Sequence, residues 1–280
     1  MLPNAERNVQ PLEPDAVKAM ANRRWYQFRL SWLIILLTIA GVGFGYIGNE
    51  RRLAKHQHNI KSALEKHRIQ LVGGDERSRR PDWLKLILGD DSAAQSNFAL
   101  VQPGFSRSSP DARDEAVDYL KEYQSVNFII FVDKDIHDDH LRHFRSLTHI
   151  QCLDLSDTQV TGRGLRELRD MHCLKMLNVA GTSICDSDLE EVSRHSELEA
   201  LWLLGTNVTD AGLAELQPLK KLKLLCIIDT KVTDDGLEKL SELLTLETIE
   251  IRRTLVTDAG IEKLQRALPK ARIDLQSRDD

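Results

Sequence analysis

The chain has 280 residues, 41% hydrophobic and 29% charged, with four cysteines and a formal net charge of −5. These values suit one large folded domain or two small ones. They exclude a disordered chain, a disulfide-built mini-protein and the global basic bias of a nucleic-acid binder. The averages conceal an asymmetry. Residues 1–68 carry 11 Lys and Arg against 5 Asp and Glu, a net of +6, and residues 69–280 carry 27 against 38, a net of −11.

In chain order, an N-terminal tail over 1–24 leads to a predicted transmembrane helix over 25–48. Its core, Leu30–Ile47, is 18 residues without a charge. As a helix it spans about 27 Å, close to the roughly 30 Å hydrocarbon core of a bilayer. Arg23, Arg24 and Arg29 bracket it on one side and Arg51, Arg52 and Lys55 on the other, with Trp25, Tyr26 and Tyr46 at interfacial positions. A buried core helix would not be bracketed this way. A cleaved signal peptide has a shorter apolar run and a small-residue cleavage site, so an uncleaved, single-pass anchor is expected. Four basic residues on each flank leave the side of the repeat domain open. Gly41 and Gly45 form a small-xxx-small pair that would let two helices approach. A basic juxtamembrane helix follows over 49–68, with Leu53, Ile60 and Leu64 at near-helical spacing, and its charge suits anionic lipid. His56, His58 and His67 on it read as solvated. A capping region is expected over 69–112, with a short helix at Asp82–Leu88 and an early strand at Asn97–Val101.

From 113 onward the chain repeats. Leu141, Leu165, Leu189, Leu213, Leu237 and Ile261 recur every 24 residues. Leu153, Leu177, Leu201, Leu225, Ile249 and Ile273 form a second column, and Leu155, Val179, Leu203, Ile227, Ile251 and Leu275 a third. Thr158, Thr182, Thr206, Thr230 and Thr254 form a polar one. In Leu213–Leu219 the apolar residues recur every three, which suits a short helix; Leu201-Trp202-Leu203 suits a strand. Thr209-Asp210, Thr233-Asp234 and Thr257-Asp258 provide an N-cap and a first-turn carboxylate. Each unit is therefore strand, turn and short helix. A single unit cannot bury its own apolar residues, so copies stack, strands in a parallel sheet and helices outside. The Thr column is expected to bond from one coil to the next. Residues 113–136 are a degenerate first unit with Lys134 in place of Thr, making about seven units to residue 280, the last incomplete.

The pattern Leu174-x-x-Leu177-x-Val179-x-x-Thr182-x-Ile184 resembles the leucine-rich repeat, with Thr where Asn or Cys is usual. The predicted fold class is thus an α/β leucine-rich repeat solenoid of right-handed coils behind one transmembrane helix. The recurrent Val-Thr-Asp-Ala-Gly-Leu wording, Arg23-Arg24-Trp25-Tyr26-Gln27-Phe28 before the apolar run, and Pro81-Asp82-Trp83-Leu84 with Leu88-Gly89-Asp90-Asp91 resemble membrane-anchored leucine-rich repeat proteins of planctomycete-type bacteria. That resemblance implies a membrane-attached, non-enzymatic repeat protein.

Residues flanking the core positions of each strand face the concave side. Met176, Trp202, Leu204, Leu224, Cys226 and Ile228 would form one exposed apolar patch there, the expected site for a protein partner. The alternative is that the helix over 51–68 or a loop folds over it. Self-association of the array is a second functional reading. A third is a metal-dependent enzyme using His137, His140 and His143 with Asp138 and Asp139, but that cluster sits at a helix start, where Asp belongs anyway, and reads as polar surface. No phosphate loop, nucleophile elbow or Cys-x-x-Cys pair is present, so no cofactor, metal or catalytic residue is assigned. Cys152 and Cys226 face alike but sit three strands apart, roughly 14 Å and beyond disulfide reach.

Overall fold

A computed structural model describes residues 55–72, 97–122 and 126–275. The chain divides into two units, Met1–His58 and Asn59–Asp280. Of the first, only residues 55–58 are described, and they are helical and exposed. The expected anchor at Leu30–Ile47, the tail before it and the capping helix at Asp82–Leu88 lie outside the described residues. Among those described, no helix is long and apolar enough to cross a membrane.

The second unit is an α/β solenoid, built among the described residues on a nine-stranded sheet whose strands lie in chain order. The strands are β1 (Ile69–Val72), β2 (Asn97–Val101), β3 (Val126–Phe131), β4 (Cys152–Asp154), β5 (Met176–Asn178), β6 (Ala200–Trp202), β7 (Leu224–Cys226), β8 (Thr248–Glu250) and β9 (Arg272–Asp274). From β2 to β9 every pairing is parallel. The exception is β1, which runs antiparallel to β2, pairing Ile69 with Val101 and Val72 with Phe98. This strand was not expected. Its four residues are apolar but for Gln70, and such a run is too short to carry a period of its own.

The helices are short, as the three-residue spacing predicts. Beyond the helical residues 55–66, α1 (Pro110–Glu122) belongs to the degenerate first unit; α2 (Asp138–Leu141), α3 (Gly162–Arg166), α4 (Leu189–Ser193), α5 (Asp210–Ala214), α6 (Asp234–Leu240) and α7 (Asp258–Ala267) follow. The expected columns meet in register: Leu153 opposes Leu177, Leu177 opposes Leu201, and the series continues to Ile249 and Ile273. Leu153 through Ile249 are buried, and only Ile273, at the end of the stack, is partly so. After successive strands the chain turns through a left-handed residue: Asp157, Gly181, Gly205, Asp229 and Arg253, with φ between 52° and 66°. Gly and Asp tolerate this region best.

The polar ladder differs from expectation. The Thr column does not bridge coils. The Oγ1 groups of Thr158, Thr182, Thr206 and Thr230 each donate to the carbonyl three residues earlier in the same coil, at 2.6–2.7 Å. A hydroxyl buried in a tight turn satisfies the nearest free acceptor, and that acceptor is local. Coil-to-coil bonding falls instead to the N-cap pairs. The Asp138 carboxylate accepts from the backbone N–H and the hydroxyl of Thr161, at 2.8 and 2.7 Å. Asp186 holds Thr209 in the same way, Asp210 holds Thr233, and Asp234 holds Thr257. Each Asp therefore sits in the first turn of its own helix and staples the next coil.

At one joint both halves of the staple are missing. Gly162 stands where the Asp belongs and Cys185 where the Thr belongs. Here Asp188, from the later coil, accepts from the Cys185 N–H at 3.0 Å. A Cβ built on Gly162 would meet the Asp188 carboxylate. At the regular joints the arrangement is mirrored: Gly164, Gly212, Gly236 and Gly260 leave room for the Asp of the preceding coil. The carboxylate has moved from one coil to its neighbour, and the glycine has moved the other way.

Candidate interaction surface

The sheet has two faces because successive strand residues alternate. One fills the coil interior. On the other, Val72, Phe98, Phe128, Cys152, Met176, Ala200, Trp202, Leu224 and Cys226 form a separate apolar cluster, with Leu100, Ile130 and Ile228 packed against it. The Phe98 and Phe128 rings lie 5.0 Å apart. Met176, Ala200 and Leu224 oppose one another across β5, β6 and β7, as do Trp202 and Cys226.

The structure thus brings five of the six predicted site residues into one cluster, but it does not leave them open. Met176 is 2% exposed, Trp202 9%, Leu224 5% and Cys226 1%. Ile228 is half-buried. The expectation of an exposed patch is corrected for the two inner columns: side chains of this size, in register on neighbouring strands, form a second core. Leu204 alone is open, at 38% exposure. It lies two residues beyond the end of β6, in the column of Val132, Ser156, Ala180 and Ile228 that edges the sheet. Val132 is similarly open at 37%. The accessible apolar part of this face is therefore the rim at the strand ends.

Electrostatics agree with a packed inner face. Burial pushes the Cys226 thiol up to about 12, and it drives that of Cys152 well above its ordinary value. Neither is a ready thiolate. All four cysteines are free, and only Cys173 is fully exposed.

His56, His58 and His137 are exposed, as the sequence reading expects, but for His67, His140 and His143 that reading is corrected. His140 is 3% exposed. Its Nδ1 accepts from the His137 N–H at 3.1 Å, and its Nε2 meets the Ser106 carbonyl at 3.0 Å, so Nε2 carries the proton. With both ring nitrogens engaged, His140 is a cap residue for α2, and burial lowers its pKa. His143 is buried, with Nδ1 2.5 Å from an Asp114 oxygen of α1. His67, also expected in solvent, is buried with Nε2 3.3 Å from Glu115 of the same helix. No group of three or more His, Cys, Asp or Glu side chains placed to hold a metal occurs among the described residues. Asp133 organises the preceding loop, accepting from the N–H groups of Gly104, Ser106 and Asp135 at 2.8–3.2 Å. Burial alone would raise its pKa, but these bonds outweigh burial and lower it. On the outer face, Arg169 forks onto the buried Glu191 carboxylate at 2.6 and 2.8 Å, holding it below the usual carboxylate range. No spacing rule pointed to Glu191, because its partner is 22 residues away.

No known protein family matches the sequence. No curated protein matches it either. Among solved structures, the chain is similar to two internalins of Listeria monocytogenes, which are leucine-rich repeat proteins. One, inlF, is 16% identical over 61% of this chain and 45% of its own length, with a TM-score of 0.46. The other, inlC2, is 17% identical over 69% of this chain and 90% of its own, with a TM-score of 0.44. The chain thus spans less than half the length of inlF. Likeness at this level is loose, and the α/β solenoid stands on the chain's own repeat and sheet.

Proposed function

We propose that this protein is a membrane-anchored leucine-rich repeat scaffold that recognises a protein partner non-covalently along the concave sheet. The observation that carries the reading is the second apolar cluster. Coil stacking needs only the interior columns, yet the other face carries apolar residues on every strand from β1 to β7, interrupted by Asp154 and Asn178, with open rim residues at Val132 and Leu204 and a half-buried Ile228 beside them. Exposed apolar residues that continue a buried cluster are where a partner gains most from contact. Leu204 is the accessible anchor, and Trp202 beneath it shapes the floor. Anchoring rests on Leu30–Ile47 and its basic flanks. No catalytic group is assigned, because the buried histidines and cysteines are committed to packing and capping.

The test is site-specific photo-crosslinking of the full chain in native membranes. A crosslinker at Leu204 is expected to capture a defined protein that one at Glu215, on the helical side, does not. Leu204→Asp should abolish that product while leaving the fold intact. Identical products from both positions, or indifference to Leu204→Asp, would overturn the concave reading. Release by carbonate without detergent would overturn the anchor.

A further inference from the structure

The outer edge of β9 has no strand partner among the described residues. The last described coil leaves its core columns incompletely covered. Ile251 is 2% exposed, while Leu275, one coil on in the same column, is 47% exposed. Ile249 is fully buried, and Ile273 beside it is only partly so.

The backbone shows which groups the edge presents. The Arg272 N–H donates to Glu247, and the Asp274 carbonyl accepts from Ile251, so both residues face β8. By the alternation of a ladder, the N–H and C=O of Ile273 point outward. Two copies of this edge meeting antiparallel about Ile273 would exchange two hydrogen bonds between their Ile273 residues. That register sets Arg272 opposite Asp274 of the second copy, twice, in the close non-hydrogen-bonded positions. It also sets Ala271 opposite Leu275. One face of the joint then carries two opposite-charge pairs, and the other carries only Ala271, Ile273 and Leu275. An edge protected against pairing carries Lys, Pro or like charges. This one is self-complementary under a two-fold axis, as an isologous interface requires.

We infer that β9 is a homodimerisation edge, joining two solenoids end to end through an antiparallel β9–β9 pairing centred on Ile273. Within one chain Arg272 and Asp274 contact each other at 3.0 Å, and on pairing they exchange that contact for the equivalent groups of the second copy. The surface is distinct from the concave rim, so the two proposals stand or fall separately.

Charge reversal tests it on the full chain in detergent, by sedimentation. The wild-type chain is expected to sediment as a dimer. Arg272→Asp places Asp against Asp274 of the second copy, and Asp274→Arg places Arg against Arg272; each alone should be monomeric. Mixed in equal amounts, the two variants carry complementary edges and should dimerise again, which a merely misfolded variant would not do. In a second measurement, Arg272→Cys and Asp274→Cys chains lacking Cys173 should form mixed disulfides on mixing and few disulfides with themselves. A monomeric wild type, a dimer that survives either single reversal, or a mixture that stays monomeric would overturn the inference.

Discussion

The irregular staple between the coils of α3 and α4 allows a quantitative test. Four joints carry an Asp that accepts two short bonds from the next coil, whereas at Gly162 and Cys185 the Asp188 carboxylate accepts within its own coil, from the Cys185 N–H at 3.0 Å and the Cys185 thiol at 3.3 Å. In Gly162→Asp the new side chain enters space already filled by the Asp188 carboxylate. Overpacking costs about 1–3 kcal/mol, and two carboxylates in one site repel, so a loss of about 3 kcal/mol is expected. Asp188→Gly removes the acceptor of the Cys185 N–H, and a bond to a charged group is worth roughly 1.5–3 kcal/mol. The double variant rebuilds the regular joint: the carboxylate introduced on the α3 coil reaches the Cys185 N–H, and the glycine introduced on the α4 coil leaves it room. It should return to within about 1 kcal/mol of wild type, a coupling of about 4 kcal/mol. Adding Cys185→Thr replaces the weak thiol donor with a hydroxyl and should raise stability by about a further 1 kcal/mol. Urea denaturation followed by circular dichroism measures all four chains. Single-variant losses that simply add in the double variant would refute the shared-space argument.

Three further outcomes follow from burial and capping. Trp202→Ala should cost about 3–5 kcal/mol of stability, as for a large buried aromatic, whereas Leu204→Asp should move the denaturation midpoint little; equal effects would mean that the two share one environment. Burial lowers the pKa of both His140 and His195 from the ordinary 6.5. Their neutral forms are favoured in the fold, so the associated stability is complete above about pH 6.5 and is lost as the pH falls through the depressed folded values. Midpoints recorded from pH 7.5 to 5 should show that decline, and His195→Gln should flatten it; a pH-independent midpoint would contradict the assignment. Asp133→Ala strips the acceptor from three N–H groups and should cost about 2–4 kcal/mol, with faster hydrogen exchange at Gly104 and Ser106 as the readout.

The 24-residue period in the sequence by itself determined the solenoid, because a strand period and a helix period alternating at fixed spacing allow only stacking to bury both. It placed Leu153 to Ile273 in one column and identified residues 113–136 as a first unit despite Lys134. It also singled out the concave apolar residues as a set. Whether those residues meet solvent was decided only in three dimensions, since burial depends on the neighbours gathered around a side chain. That is why Trp202 and Leu204, two residues apart, ended on opposite sides of the boundary. The same holds for His67, His140 and His143, whose polar pattern reads as surface until α1 and the loop at Ser106 pack over them. The coil staple lay equally outside local reading. A Thr column suggests bonding between coils, yet the bond that crosses coils joins residues 23 apart through an Asp that looks like an ordinary helix cap. Periodicity fixes which residues recur together, while tertiary contact fixes which atoms share space, and the exchanged glycine and carboxylate at Gly162 and Asp188 become intelligible only once that shared space is seen.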